Sequence, residues 1–161
     1  MRNKIIGLKP IVDQDTKLLI LGSIPGNSSL KNKEYYSCKN NHFWKIIFKT
    51  FSKKDPIDYK ERINFLKLEN IGIWNIIRSC QRQGSCDDKI IGPKLNNLGK
   101  LLYKYPNISR IFLNGRKAYD LFQSFFPNLN ISNKYLPSTS SRNTKSYKYI
   151  IRKWEKYLKR S

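Results

Sequence analysis

Residues 17–21, Lys-Leu-Leu-Ile-Leu, carry a short continuous apolar run that stops at Gly22. A strand apolar at successive positions is buried on both faces, as in a parallel sheet covered by helices, and the glycine opens a loop. The chain then alternates. From Asn41 to Phe51 the apolar residues Phe43, Trp44, Ile46, Ile47, Phe48 and Phe51 follow a helical period. Residues 58–68 read as an amphipathic helix, 72–77 as a strand and 78–92 as a polar loop. Pro93 suits the first position of a helix running to about Tyr103. Residues 108–113 form the next strand, and Asn114-Gly115 turns into a helix ended by Pro127. Tyr135-Leu136 is a short strand, residues 137–143 a loop, and residues 144–159 a last helix striped by Ile150, Ile151, Trp154, Tyr157 and Leu158. The expected fold is α/β: three α/β/α layers around a short central parallel sheet of four strands, in one domain over residues 1–161.

Charge narrows the partner. With 32 basic and 11 acidic residues the net charge is +21, a field that attracts polyanions, and nucleic acid is the expected partner. The single alanine, Ala118, and the wealth of Lys, Asn and Ile also fit codon drift in an AT-rich genome, so charge alone does not decide it. No run approaches the ~20 apolar residues of a membrane span. The first ten residues are too broken by charge for a signal peptide, so a cytoplasmic, nucleoid-associated location is expected. Cys38, Cys80 and Cys86 are an odd set without a CxxC pair, and with His42 they do not match structural zinc spacings. Reduced thiols and no metal are expected.

In open α/β folds the site lies beyond the carboxyl ends of the strands, which selects the loops 22–41, 78–92 and 137–143. The first reads Gly22-Ser23-Ile24-Pro25-Gly26-Asn27-Ser28-Ser29-Leu30, then Tyr35-Tyr36, then Asn41-His42-Phe43-Trp44. The second stretch holds Gly72-Ile73-Trp74 and, further on, Cys80-x-Arg82-x-Gly84-Ser85-x-Asp87. Phe112-Leu113-Asn114-Gly115 and Leu136-Pro137-Ser138-Thr139-Ser140-Ser141 follow. These four motifs, in this order, resemble the uracil-DNA glycosylase superfamily, closest to its hypoxanthine-DNA (deoxyinosine) glycosylase family. The resemblance covers about residues 18–143. The chain departs from that family's pattern at Asn75, where Asp is usual, at Cys86, where Leu is usual, and at Arg142, where Ala is common.

The resemblance implies a uracil-DNA glycosylase-like fold and an enzyme that flips a deaminated base from double-stranded DNA and hydrolyses its glycosidic bond. Such a reaction passes through an oxocarbenium-like sugar with negative charge growing on the base. It needs a positioned water, donors to the base and a means of extrusion, but no cofactor. Asn41 is the candidate to hold the water; its other reading is a cap for the helix beginning at His42. In pyrimidine-specific relatives a residue at the position of Ile24 holds this water, which an aliphatic side chain cannot do. Tyr36 matches the aromatic that stacks on the flipped base, or else packs beneath the loop. Gly22, Ser23, Ile24 and Pro25 bring backbone close to the base, and Asn114 offers an amide to its edge or serves as a turn residue. Ser138, Thr139 and Ser140 suit phosphate contacts, and Arg142 resembles an arginine that fills the vacated stack; the alternative is a polar turn capped by Asn143. His42 reads as part of a helix first turn, Asp87 and Asp88 as caps or braces of the 78–92 loop, with Asp87 a residue to mutate because carboxylates are scarce, and Trp44, Trp74 and Trp154 as core.

The expectation is a monomeric, monofunctional glycosylase that removes hypoxanthine and leaves an abasic site. A mismatch-directed uracil/thymine glycosylase is the alternative within the superfamily. A basic nucleic-acid-binding module without turnover is the alternative outside enzymology.

Overall fold

The computed structural model describes residues 3–159. In chain order the elements are β1 (Asn3–Ile6), β2 (Leu18–Gly22), α1 (Asn27–Asn32), α2 (Phe43–Thr50), α3 (Tyr59–Leu68), β3 (Ile71–Asn75) and β4 (Ile77–Arg82). A 3₁₀ turn (Asp87–Lys89) precedes β5 (Ile91–Leu95), α4 (Leu98–Lys104), β6 (Arg110–Asn114), α5 (Arg116–Phe125), β7 (Ser132–Leu136) and α6 (Tyr147–Leu158).

Four strands form the expected parallel sheet, in the order β3-β2-β6-β7. Every residue of β2 and β3 is buried, which requires cover on both faces and accounts for their unbroken apolar runs. Helix α3 packs on β3, α5 on β6 and β7, and α2 against α6. Leu19, Ile20, Leu21, Ile73, Ile111 and Leu113 are shut off from solvent at the centre. The register sets Gly22 beside Asn75 and Asn114 beside Leu136, so the carboxyl ends finish level with one another. Trp154 of α6 is fully buried and its indole N–H donates to the Pro137 carbonyl at 2.9 Å, anchoring the loop beyond β7.

A second sheet lies where the sequence reads as loop and helix. Strands β1, β4 and β5 pair antiparallel, with β4 in the middle. The stretch 78–92 is therefore most of β4, the 3₁₀ turn and the start of β5, not a polar loop. Strand β4 buries Ile77, Cys80 and Arg82 while Arg78 and Gln81 face solvent, so its inward positions do not spell an apolar pattern. Pro93 stands in β5, not at a helix start. Among the described residues that strand bonds to β4 alone, and at such an edge a missing N–H costs little. Helix α4 begins at Leu98 instead, with Asn97 capping it by accepting from the Lys100 N–H at 2.9 Å.

Smaller differences have local causes. Asp58 caps α3 by accepting from Glu61 N–H, so the helix starts at Tyr59. Ser146 caps α6 through Tyr149 N–H and delays its start to Tyr147. Strand β7 runs back to Ser132 as an exposed edge strand with no apolar signal along most of its length. The short helix α1 and strand β1 carry no periodic pattern long enough to read.

Candidate active site

The loop leaving β2 is held from beneath by β4 and the segment after it. Arg82, 2% exposed, donates from Nη2 to the Pro25 carbonyl at 2.7 Å and from Nε to the Gly84 carbonyl at 2.9 Å. Ser85 Oγ accepts from the Asn27 N–H at 2.9 Å. The Ser23 hydroxyl donates to Asp87 Oδ2 at 2.8 Å. Three of these bonds, to Pro25, Asn27 and Ser23, cross from one segment to the other, so the two act as one wall. Gly22 passes close to the site's side chains: a Cβ there would lie 3.0 Å from Asn75 Nδ2 and 3.5 Å from the Tyr36 hydroxyl, so Asn75 would have to give way.

The opposite wall is built around Tyr36. Its φ of 55° is a left-handed conformation rare for a bulky residue, as is found where a site dictates the backbone. The ring stacks on Phe43 at 3.8 Å with an interplanar angle of 17°, so one face is backed by the core. Burial pushes its phenol up to about 12, against the opposing pull of the hydrogen bond from Asn114. Asn114 Nδ2 donates to the Tyr36 hydroxyl at 3.2 Å and to Thr139 Oγ1 at 3.0 Å, while its Oδ1 accepts from the Thr139 N–H at 3.0 Å. Both of its donors are thus spent inside the protein, which leaves one carbonyl lone pair for anything else.

Asn41 precedes α2 and its Oδ1 accepts from the Phe43 N–H at 2.9 Å. The assigned N-cap is His42, one residue later, which makes no side-chain cap bond. Asn41 keeps its amide N–H₂ and a second carbonyl lone pair for a further partner. The His42 N–H donates to the Thr139 carbonyl at 2.8 Å, tying this turn to the serine-rich loop. Within that loop Ser140 N–H donates to Ser138 Oγ, Asn143 Nδ2 to the Ser138 carbonyl, and Arg142 N–H to Ser140 Oγ. Gly115, at φ 98°, passes so close to Ser138 that an added Cβ would sit 3.0 Å from the serine Cβ.

These walls enclose a cavity of about 620 Å³ beyond the strand ends, within the ~300–1,000 Å³ usual for ligand sites. Gly22, Ser23, Ile24, Pro25, Tyr36, Asn41, Asn114, Ser138, Thr139, Ser140 and Arg142 all line it. Arg142 is exposed, while Ile24 and Thr139 are buried. The lining also includes Asn75, Asp87, Arg116 and Lys117, which sequence reading did not assign to the site. Asn75 is 4% exposed and its Oδ1 has no hydrogen-bond partner among the described residues. The sequence reading ran this strand on to residue 77, which hid Asn75 as a strand-end residue; its departure from the family pattern was the available signal. Arg116 and Lys117 open α5, whose N-terminal amides add positive potential.

Burial raises the Asp87 carboxyl above its ordinary range; the Ser23 hydrogen bond and the charges of Arg82 and Lys117 oppose that rise. Burial lowers Arg82, with Asp87 acting against it, and its Nη1 lacks a partner among the described residues. Cys38 is exposed and Cys80 buried, and among the described residues no group of three or more His, Cys, Asp or Glu is placed to hold a metal. No helix among them is long and apolar enough to cross a membrane.

A level row of parallel strand ends, a tyrosine-backed cavity and a serine-rich loop agree with what sequence comparison finds. The family model described as the Uracil DNA glycosylase superfamily matches residues 10–158. The chain belongs to the uracil-DNA glycosylase superfamily. As a member it is a DNA glycosylase, a hydrolase of N-glycosyl bonds whose substrate is DNA. A protein of Methanosarcina barkeri named hypoxanthine DNA glycosylase is 30% identical over 155 residues, covering 96% of this chain and 98% of its own length. A protein of the same name from Methanosarcina acetivorans is 30% identical over 150 residues, covering 92% and 94%. The solution NMR structure of a proposed uracil DNA glycosylase from Methanosarcina acetivorans superposes with a TM-score of 0.87 at 28% identity, over 98% of both chains.

Proposed function

We propose that this glycosylase removes hypoxanthine from deoxyinosine in double-stranded DNA, acting as a monomer on the nucleoid and leaving an abasic site without nicking the strand. The observation that carries the reading is the meeting of Asn41, Tyr36 and Thr139 around one cavity in which Ile24 offers no polar group. The names of the two Methanosarcina relatives support the choice of base.

In this reading the extruded purine lies against Tyr36, whose opposite face rests on Phe43; base–aromatic stacking is worth ~1–3 kcal/mol. Asn41 holds the attacking water with the amide hydrogens and lone pair that Phe43 leaves it. Glycosidic cleavage is dissociative, so a water in line with the sugar carbon needs placement more than activation. Backbone at Gly22 to Pro25 approaches the base, and Asn114 serves chiefly by fixing Tyr36 and Thr139. Ser138, Thr139 and Ser140, with the N-terminus of α5, meet the phosphates flanking the lesion, and Arg142 enters the space the base has left.

The test is to incubate the protein with duplexes carrying inosine, uracil, a G·T mismatch or no lesion, and then to cleave abasic sites with alkali. Cutting at inosine is the expected result. Cutting only at uracil or G·T would replace this reading with a mismatch-directed uracil/thymine activity. Strand breaks before alkali would show lyase chemistry.

A further inference from the structure

We infer that Asp87 is a catalytic residue of this enzyme: its carboxylate takes the proton that the attacking water must lose. The inference rests on the reading in which Asn41 holds that water, and it supplies what Asn41 lacks. An amide accepts a hydrogen bond but does not take a proton at ordinary pH. The C1′–N9 bond breaks with its electron pair leaving on the purine, and the water oxygen bonds to C1′. One water proton passes to Asp87 and from there to solvent, and the purine anion draws a proton from solvent.

Two carboxylates line the cavity, Asp87 and Asp88. Asp88 is exposed, whereas Asp87 is drawn inward by its bond from Ser23. Ile24 leaves the loop after β2 without an acid of its own, and the crossing bonds of Arg82, Ser85 and Asp87 deliver one to it from the neighbouring segment. Of the carboxylate's oxygens, Oδ2 is engaged by Ser23, leaving Oδ1 for water. A fixed anion there also favours the positive charge that grows on the sugar.

The groups acting on Asp87 are mixed. Arg82 from β4 and Lys117 from α5 favour its charged form, Asp88 from the same turn opposes it, and Cys80 of β4 interacts with it. Burial makes the anion a better proton acceptor than an ordinary carboxylate, and the Ser23 bond limits that gain.

Single-turnover base release, followed against pH on deoxyinosine and uracil duplexes in parallel, tests the inference. The wild-type rate should fall on the acid side as Asp87 is protonated. Asp87→Asn keeps an oxygen to accept from Ser23, so duplex affinity should hold while base release slows about 10²-fold and the acid limb disappears. Ser23→Ala keeps the carboxylate but removes a bond that favours its charged form, so the acid limb should move to higher pH. Asp87→Asn at the wild-type rate, or with its acid limb intact, overturns the inference, as does a Ser23→Ala profile that superposes on the wild type. Should only uracil be released, the hypoxanthine reading fails and the Asp87 comparison is decided on uracil. Should Asn41→Ala keep full rate while Asp87→Asn loses it, the role of Asn41 fails and that of Asp87 stands.

Discussion

The two sheets of this protein are held by different forces, and they contribute different things to the site. The parallel sheet is apolar along β2 and the middle of β6, and its stability comes from burying Leu19, Ile20, Ile73 and their neighbours. It sets where strands end. The antiparallel sheet is largely exposed along β5, and the residue that β4 buries most tellingly is an arginine. Through Arg82 and the Ser85–Asp87 segment it reaches the loop after β2 with hydrogen bonds. One sheet supplies a frame and the other supplies polar groups, so damage to each should look different.

The sharpest contrast is expected from Leu19→Ala. Leu19 has no exposure to solvent, and its truncation should cost about 2–5 kcal/mol in urea unfolding. Catalysis per folded molecule should be little changed; a variant that stays stable but loses activity would break the division of labour. Arg82→Met fills similar volume but leaves the Pro25 and Gly84 carbonyls without their donor. It should cost about 1–3 kcal/mol, with a loss of base release that outruns the loss of folded protein. Equal losses would make the antiparallel sheet a second frame.

Asn41→Ala sits between the two. Losing its bond to Phe43 should cost about 0.5–2 kcal/mol, and losing the held water should slow turnover about 10²-fold with DNA affinity retained. Parallel falls in folding and binding would reduce Asn41 to a helix-start residue. The smallest effect belongs to Pro93→Ala. At an exposed edge-strand position it should shift stability by no more than about 0.5 kcal/mol; a large loss would mean β5 is more than an edge.

The same division explains what could be read from sequence. The parallel strands β2, β3 and β6 were legible because burial on both faces writes an apolar run, as in residues 18–21, whereas of the exposed β7 only the end could be read. The helices α2 and α5 were legible because their buried faces keep a 3.6-residue period. Strands β4 and β5 were not. In β4 a buried arginine takes an inward position that pattern reading reserves for apolar residues, and Pro93 at an edge looks the same as Pro93 at a helix start. The candidate site residues were read mainly from short motifs, since Tyr36 and Asn41 of one loop lie far in the chain from Asn114 and Thr139. The bond between Ser23 and Asp87 joins residues 64 apart and has no local signature, so Asp87 read as a cap or brace of its own loop, notable for the scarcity of carboxylates.

The three bonds of Asn114 carry a consequence for selectivity. A single amide fastens the aromatic platform to the serine-rich loop through bonds made wholly within the protein. A receptor built this way is finished in advance and has little ordering left to do when a base arrives. The work of extraction then falls on the duplex, and its magnitude depends on how firmly the lesion is paired. Among bases that fit equally well, the weakest partner in the helix should be the first to leave it.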